Sequence, residues 1–270
     1  MIRIISGGEA VDEHNKLQAA KTVITSLHIT YRAIQNAVPL PKMLFFFKEE
    51  LVSPLTLKWK GILVAILICS APVWAADQVI IADFSFTADA PVVPAGWQVK
   101  EKSGKADFAV VKDDDVVAVR LRSANTSFSL QKEVHVNLKQ YPILTWKWKV
   151  TKLPDGGDFR KSDTDDQAAQ LFIAFSKTCA IVYIWDTTAP QGTMGDAAAP
   201  FFMSIKAVVV RSGKTGTGSW ITETRNIYDD YKKLFAGEPG DVSGVRIQTN
   251  SQHTGTSAES YFADIAFKNR

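Results

Sequence analysis

The chain has 270 residues, 46% of them hydrophobic and 22% charged, a balance that fits a globular protein with room for one large domain or two small ones. Residues 1–75 hold eight of the 31 Lys and Arg and five of the 28 Asp and Glu, so the remainder carries 23 of each and is formally neutral. That neutrality removes the electrostatic basis for nucleic-acid binding and for adhesion to an anionic membrane.

Residues 58–75 read KWKGILVAILICSAPVWA, with Lys58 and Lys60 ahead of an apolar run from Ile62 to Cys69 and small residues ending at Ala75. This is the pattern of a Sec-type signal peptide cleaved near Ala75. The run is too short for the roughly 20 apolar residues that span a bilayer, and Ile68 before Cys69 does not suit lipid attachment. The expected product is periplasmic or secreted, with no stable membrane span after signal cleavage. Residues 1–57 show neither sustained strand alternation nor a helical stripe, and read as a mis-started or disordered extension outside the fold. Cys69 leaves with the signal, so residues 76–270 hold Cys179 alone. A domain of that size needs no disulfide, and Cys179, ahead of the apolar run AIVYIW, reads as a small buried hydrophobe.

From there the chain is a series of short β-type runs. QVIIADF (78–84) precedes a loop marked by Pro91, Pro94 and Gly96, which ends at Trp97. ADFAVVK (106–112), the turn Asp113-Asp114-Asp115 and VVAVRLR (116–122) read as a hairpin. TSFSLQKEV (126–134) and ILTWKWKV (143–150) follow. In TWKWKV the alternation predicts Trp146, Trp148 and Val150 in the core, with Lys147 and Lys149 on the opposite side. AAQLFIAFS, AIVYIWDT, FMSIKAVVVR, SWITETRNI, VSGVRIQTN and ESYFADIAFK complete the strands. RSGKTGTGS (211–219) reads as a hairpin loop. It is not a phosphate-binding loop, because Val208 stands where the early glycine is needed and a strand follows. Only YDDYKKLFA (228–236) has helical spacing, with Tyr228, Tyr231, Leu234 and Phe235 on one side. The fold class expected is all-β: an antiparallel two-sheet sandwich, jelly-roll-like, with one short helix, built by residues 76–270 as a single domain.

WKWKV, LPDGGDFRKSDTDDQAAQLFIAF, IVYIWD, WITETRNIYDDYKKLF and YFADIAF, in that order, resemble the bacterial exported family catalogued as domain of unknown function 3047. The resemblance covers nearly all of residues 80–268. It implies an exported protein with a jelly-roll-like sandwich and no established activity to carry over. TNSQHTG (249–255) departs from the family's more acidic version, so a role of those acids is in doubt at Asn250 and Gln252.

The densest polar segment is DGGDFRKSDTDDQ (155–167). Asp158, Asp163 and Asp165 could supply oxygen ligands to a structural calcium, although the spacing matches no EF-hand; a solvated loop in which aspartates pair with Arg160 or Lys161 explains the same residues. Asp165 and Asp166 in this loop, with Glu223 on a strand, are the acids a glycan-cleaving pair could draw on. No G-x-S-x-G elbow or paired histidine site exists.

A polar sheet face or the sandwich rim is the other candidate. Lys147 and Lys149 would form one with Gln248 and Asn250, which share the outward side of their strand with Arg246, if these strands are neighbours. Arg225, which shares a side with Glu223 and must be exposed or internally paired, and Asn226 would extend it. Arg160, Asp166 and Gln167 would border it from the loop. Trp97, Trp185 and Trp220 sit where rim rings could stack on sugars. The leading expectation is an exported envelope protein that binds a glycan or other polar ligand without catalysis, with no cofactor beyond that calcium. The alternatives are a carboxylate-based polysaccharide-acting enzyme and a structural protein-interaction module.

Overall fold

The computed structural model of the chain describes residues 77–85 and 93–269; the expected signal peptide at 58–75 and the expected extension at 1–57 lie outside the described residues. Among the described residues thirteen strands and one helix follow in order: β1 (Gln78–Ala82), β2 (Gln98–Ser103), β3 (Asp107–Asp113), β4 (Val116–Ala124), β5 (Ser127–Val136), β6 (Ile143–Lys152), β7 (Ala169–Ala174), β8 (Cys179–Asp186), β9 (Met194–Asp196), β10 (Ser204–Ser212), β11 (Ile221–Asn226), α1 (Ile227–Phe235), β12 (Val242–Asn250) and β13 (Ser257–Lys268). They form an all-β two-sheet sandwich, mostly antiparallel. One sheet runs β11-β6-β13-β4-β3 with β1 added beside β13, and the other runs β2-β5-β12-β7-β8-β10-β9.

Alternation along the strands decides what lies between the sheets. Trp146, Trp148 and Val150 of β6 are fully buried, as are Tyr183 and Trp185 of β8 in the opposite sheet. The two runs meet ring to ring across the sandwich: Trp146 lies 5.5 Å from Tyr183, and Trp148 lies 5.8 Å from Trp185. Such aromatic contacts add to the burial of large apolar area.

The β3–β4 hairpin closes through Asp114, whose φ of 54° is one that Asp tolerates in a tight turn. Asp264 has φ 50° at a break in register between Ala263 and Ala266 of β13. This bulge lets β13 leave β4, which it pairs through Phe262, and pick up β1 from Ile265 onward. The helix is one residue offset from its expected span and starts at an Asn226 cap, whose side chain accepts from the Asp229 N–H.

Two expectations are corrected. The sandwich is not wholly antiparallel, because β10 pairs with β8 in parallel. A parallel neighbour needs a long crossover, and residues 187–203, including β9, supply it. The 211–219 segment is not a hairpin loop: β10 and β11 belong to different sheets, so it is a crossing between them.

Candidate functional site

The outer face of the seven-stranded sheet is unlike a plain solvated face. With Val245 and Ile247 of β12 and Leu171 and Ile173 of β7 turned into the core, Arg246, Gln248 and Asn250 point outward beside Phe172 and Gln170. The register sets Gln131, Ser129 and Ser127 of β5 opposite that β12 row, and Gln98 of β2 opposite Gln131. On the other side, Val182 and Ile184 of β8 pair with Ala207 and Val209 of β10. The outer face therefore runs from amides and hydroxyls at one edge to aliphatic side chains at the other.

The aliphatic half carries its own small core, built with Phe159 and Ala189 from the crossing loops and Met203 packed beside them. Its wall hangs on Asp186, whose fully buried carboxylate accepts from the Phe159, Thr188 and Ala189 N–H groups at 2.9, 2.8 and 2.7 Å. Burial outweighs these donors and pushes the Asp186 carboxyl pKa up. Gly157 allows the 155–167 loop to fold on itself, since a Cβ there would sit 2.3 Å from the Asp166 carbonyl oxygen. The tip of the other wall, next to Met203, exposes Phe201 completely, with the Phe202 ring 5.6 Å away.

Between polar and aliphatic halves lie two recesses, of about 550 and 230 Å³, which share Phe172, Met203, Ile205 and Arg246 as lining residues. They form one trough with Arg246 and Phe172 at its midpoint. The Arg246 guanidinium lies 3.6 Å from the centre of the Phe172 ring. Its Nε is buried without a hydrogen-bond partner, and no acid among the described residues pairs with it. Burial alone draws its pKa down to about 10, so it stays charged at neutral pH.

Beyond Arg246 the polar floor is a linked chain of amides. Gln248 donates to Gln170 at 3.2 Å, Gln170 to Asn250 at 2.6 Å, and Asn250 to the Asp165 carbonyl at 2.7 Å. Gln167 donates its side-chain amide to the Asp165 carboxylate at 2.9 Å. Burial, the leading influence on Asp165, raises that carboxyl's pKa. Asp166 is spent on structure: it accepts from the Thr254 N–H at 2.6 Å and faces His253 at 3.4 Å, tying the turn after β12 to the loop.

Residues 95–266 match the family described as "Protein of unknown function (DUF3047)". The chain belongs to that family. Among curated proteins none matches. Solved structures similar to this DUF3047 chain include the xyloglucanase domain of NopAA, a type three effector from Sinorhizobium fredii, in complex with cellobiose, at 10% identity and TM-score 0.43, covering 68% of this chain and 99% of that one. The family 11 carbohydrate-binding module of the cellulosomal cellulase Lic26A-Cel5E of Clostridium thermocellum is similar at 7% identity and TM-score 0.40, covering 72% and 95%. An adhesin domain of Lys-gingipain from Porphyromonas gingivalis follows at 12% and 0.35, covering 65% and 92%. These are distant likenesses of fold.

The DUF3047 sandwich separates residues that the sequence grouped. Gln167, Gln248 and Asn250 meet at the trough, but Lys147 and Lys149 lie on the outer face of the other sheet, because β6 and β12 are not neighbours. Lys149 is only 7% exposed: it pairs with Asp113, lies 4.8 Å from the Tyr261 ring centre and 5.4 Å from that of Trp220, and so is a packed structural group. Trp220 donates to the same Asp113 carboxylate at 2.7 Å. Trp185 is core and donates to the Gly213 carbonyl at 3.0 Å, and Trp97 packs on Phe84. Arg225 pairs with Asp230, the acceptor also of the Tyr183 hydroxyl at 2.7 Å, while Asn226 caps the helix.

Glu223 is bonded by Trp148 Nε1 at 3.1 Å and Arg211 at 2.6 Å, a contact that links the sheets well away from Asp165 and Asp166. Arg160 clamps both oxygens of Asp158 at 2.7 and 2.8 Å, and holds that carboxyl down at a pKa of about 2. Asp163 joins no metal-binding group, since none of three or more His, Cys, Asp or Glu occurs among the described residues. Cys179 is half-buried at the trough rather than enclosed.

Sequence reasoning placed Arg246 on the outward side of β12 without singling it out, and missed Phe172, Gln170 and Gln131. Strand parity alone identifies all four as outward. Their grouping depends on which strands are neighbours.

The packed setting of Lys149 changes an expected result. On parity alone Lys147→Ala and Lys149→Ala would both leave the fold standing. Lys147 pairs with the exposed Asp264, so its loss should shift stability by no more than about 0.5 kcal/mol. Lys149→Ala should cost about 1–3 kcal/mol, because it strips a charge-assisted bond and the packing of its stem under two rings. Urea denaturation of the two variants side by side checks the difference.

Proposed function

We propose that the trough on the outer face of the seven-stranded sheet binds a polysaccharide segment without catalysis, in a protein exported to the periplasm or beyond. The observation that carries this reading is the row Gln98, Gln131, Arg246 and Phe172, crossed by the amide chain Gln248, Gln170 and Asn250, in a trough with two recesses. Amides both donate and accept, as sugar hydroxyls do, and need no charge on the ligand. The aliphatic half is buried beneath the crossing loops and serves as a firm wall behind these polar groups.

Binding is favoured over cleavage because two of the three acids that a cleaving pair could draw on are committed to structure. Asp166 is engaged by Thr254 and His253, and Glu223 lies between the sheets. No helix among the described residues is long and apolar enough to cross a membrane.

A glycan array probed with the protein should light a set of polysaccharides. Gln248→Ala should weaken the best of them about fivefold, the equivalent of ~1 kcal/mol for one lost hydrogen bond, while the loss of its bond to Gln170 lowers the melting temperature by only about 2–4 °C. An array with no bound glycan, or undiminished binding after Gln248→Ala combined with Gln170→Ala, would contradict the proposal. Export is checked by fractionation: the protein should leave the cytoplasm with its N-terminus near Ala76.

A further inference from the structure

Arg246 is more than a polysaccharide that is merely hydroxylated would require. A guanidinium is costly to remove from water unless an anion meets it, and natural sandwiches satisfy such groups with an internal acid. This chain does so at Arg211 with Glu223, at Arg225 with Asp230 and at Arg160 with Asp158. At Arg246 no such acid is provided. The guanidinium carbon instead lies 3.6 Å from the Phe172 ring centre with its buried Nε unbonded, among residues that line both recesses. That close contact restricts the fork's freedom, and a guanidinium fork suits the two parallel N–H···O bonds that a carboxylate accepts.

The surroundings have the same sign. The recesses are lined by Lys102, Lys132, Lys177 and Arg246 against the acids Glu133 and Asp165. Lys132 is occupied by the Ile81 carbonyl at 2.8 Å. With Lys132 set aside, Lys102, Lys177 and Arg246 outnumber the two acids by one at the trough, in residues 76–270 that are formally neutral as a whole.

We propose that the ligand is a carboxylated polysaccharide, one built with uronate residues, and that Arg246 is the residue that reads its carboxylate. The inference rests on the trough being a polysaccharide site, and deepens it by naming the ligand's chemical class. The amides then hold the hydroxyls, while the guanidinium selects acidic over neutral or esterified sugars.

The test is calorimetric titration of the intact protein with oligomers of polygalacturonate, alginate and hyaluronan, each beside its methyl ester, and with dextran sulfate and cello-oligosaccharides. At least one uronate should bind ten times or more tighter than its own ester, and added salt should weaken it. Arg246→Gln should erase that preference, Arg246→Lys should recover only part of it, and the melting temperature of either variant should equal or exceed that of the parent. Equal binding of acid and ester forms, untouched by Arg246→Gln, would overturn the carboxylate inference and leave the trough as a neutral-glycan site. Preference for dextran sulfate over every uronate would overturn it as well. No binding to any of these polymers, acidic or neutral, together with a blank glycan array, would remove both the inference and the reading beneath it.

Discussion

Trp148→Ala is expected to cost about 3–5 kcal/mol, a large part of the ~5–15 kcal/mol that holds a typical domain together. The ring is fully buried where the sheets meet, packed 5.4 Å from Trp146, 5.8 Å from Trp185 and 6.3 Å from Phe262. Truncation leaves a cavity that rigid strands on both sides cannot collapse into. It also removes the Nε1–H donated to Glu223, which keeps Arg211 as its remaining partner. For a domain of this size the melting temperature should fall by roughly 10 °C or more, read by calorimetry or circular dichroism. Retention of full thermal stability with loss of glycan binding would mean that the ring serves as a ligand platform, contrary to its burial. Trp148→Phe, which keeps most of the volume and loses the donor, should cost about half as much.

Asp186→Ala should be comparably severe, for a different reason. Its carboxylate is the acceptor for three backbone N–H groups at the base of the trough wall, so the change leaves three donors without their partner. Each buried orphan costs about 1–3 kcal/mol before relaxation or water entry recovers part of it, so a net loss of about 3–5 kcal/mol is expected. Because the Phe159 wall depends on that anchor, binding should weaken along with stability, whereas Trp148→Ala acts through the fold alone. Asp186→Asn keeps one acceptor oxygen and should fall between.

The sign of the pH dependence follows from the raised pKa. Between the ordinary carboxylate value and the raised one, the folded state holds a proton that the unfolded chain has released, so this group's contribution to stability declines as pH rises through that window. Asp186→Asn should flatten that part of the stability–pH curve, which chemical denaturation at stepped pH would reveal.

Much of this was legible in the sequence where interactions are local. The alternation in TWKWKV assigned both rings to the core, the three aspartates at 113–115 marked a hairpin, and the spacing of Tyr228, Tyr231, Leu234 and Phe235 marked the helix within a residue. Parity tells which side of its strand a residue occupies. It does not tell which sheet the strand joins, so Lys147 and Lys149 were grouped with Gln248 and Asn250 although the core lies between them. The same limit hid the packing of Lys149, which depends on Asp113, Trp220 and Tyr261 arriving from three separate segments. It also hid Arg246, whose guanidinium pairs with no acid among the described residues.

The most direct test of a ligand in the trough is amide and side-chain chemical-shift mapping of the isotope-labelled protein titrated with a uronate oligomer. The account predicts that the largest changes fall on Arg246, Gln248, Gln170 and Gln131, with the Arg246 Nε–H signal moving as its carboxylate arrives. Changes centred instead on Lys147 and the outer face of the six-stranded sheet, with Arg246 unmoved, would contradict it.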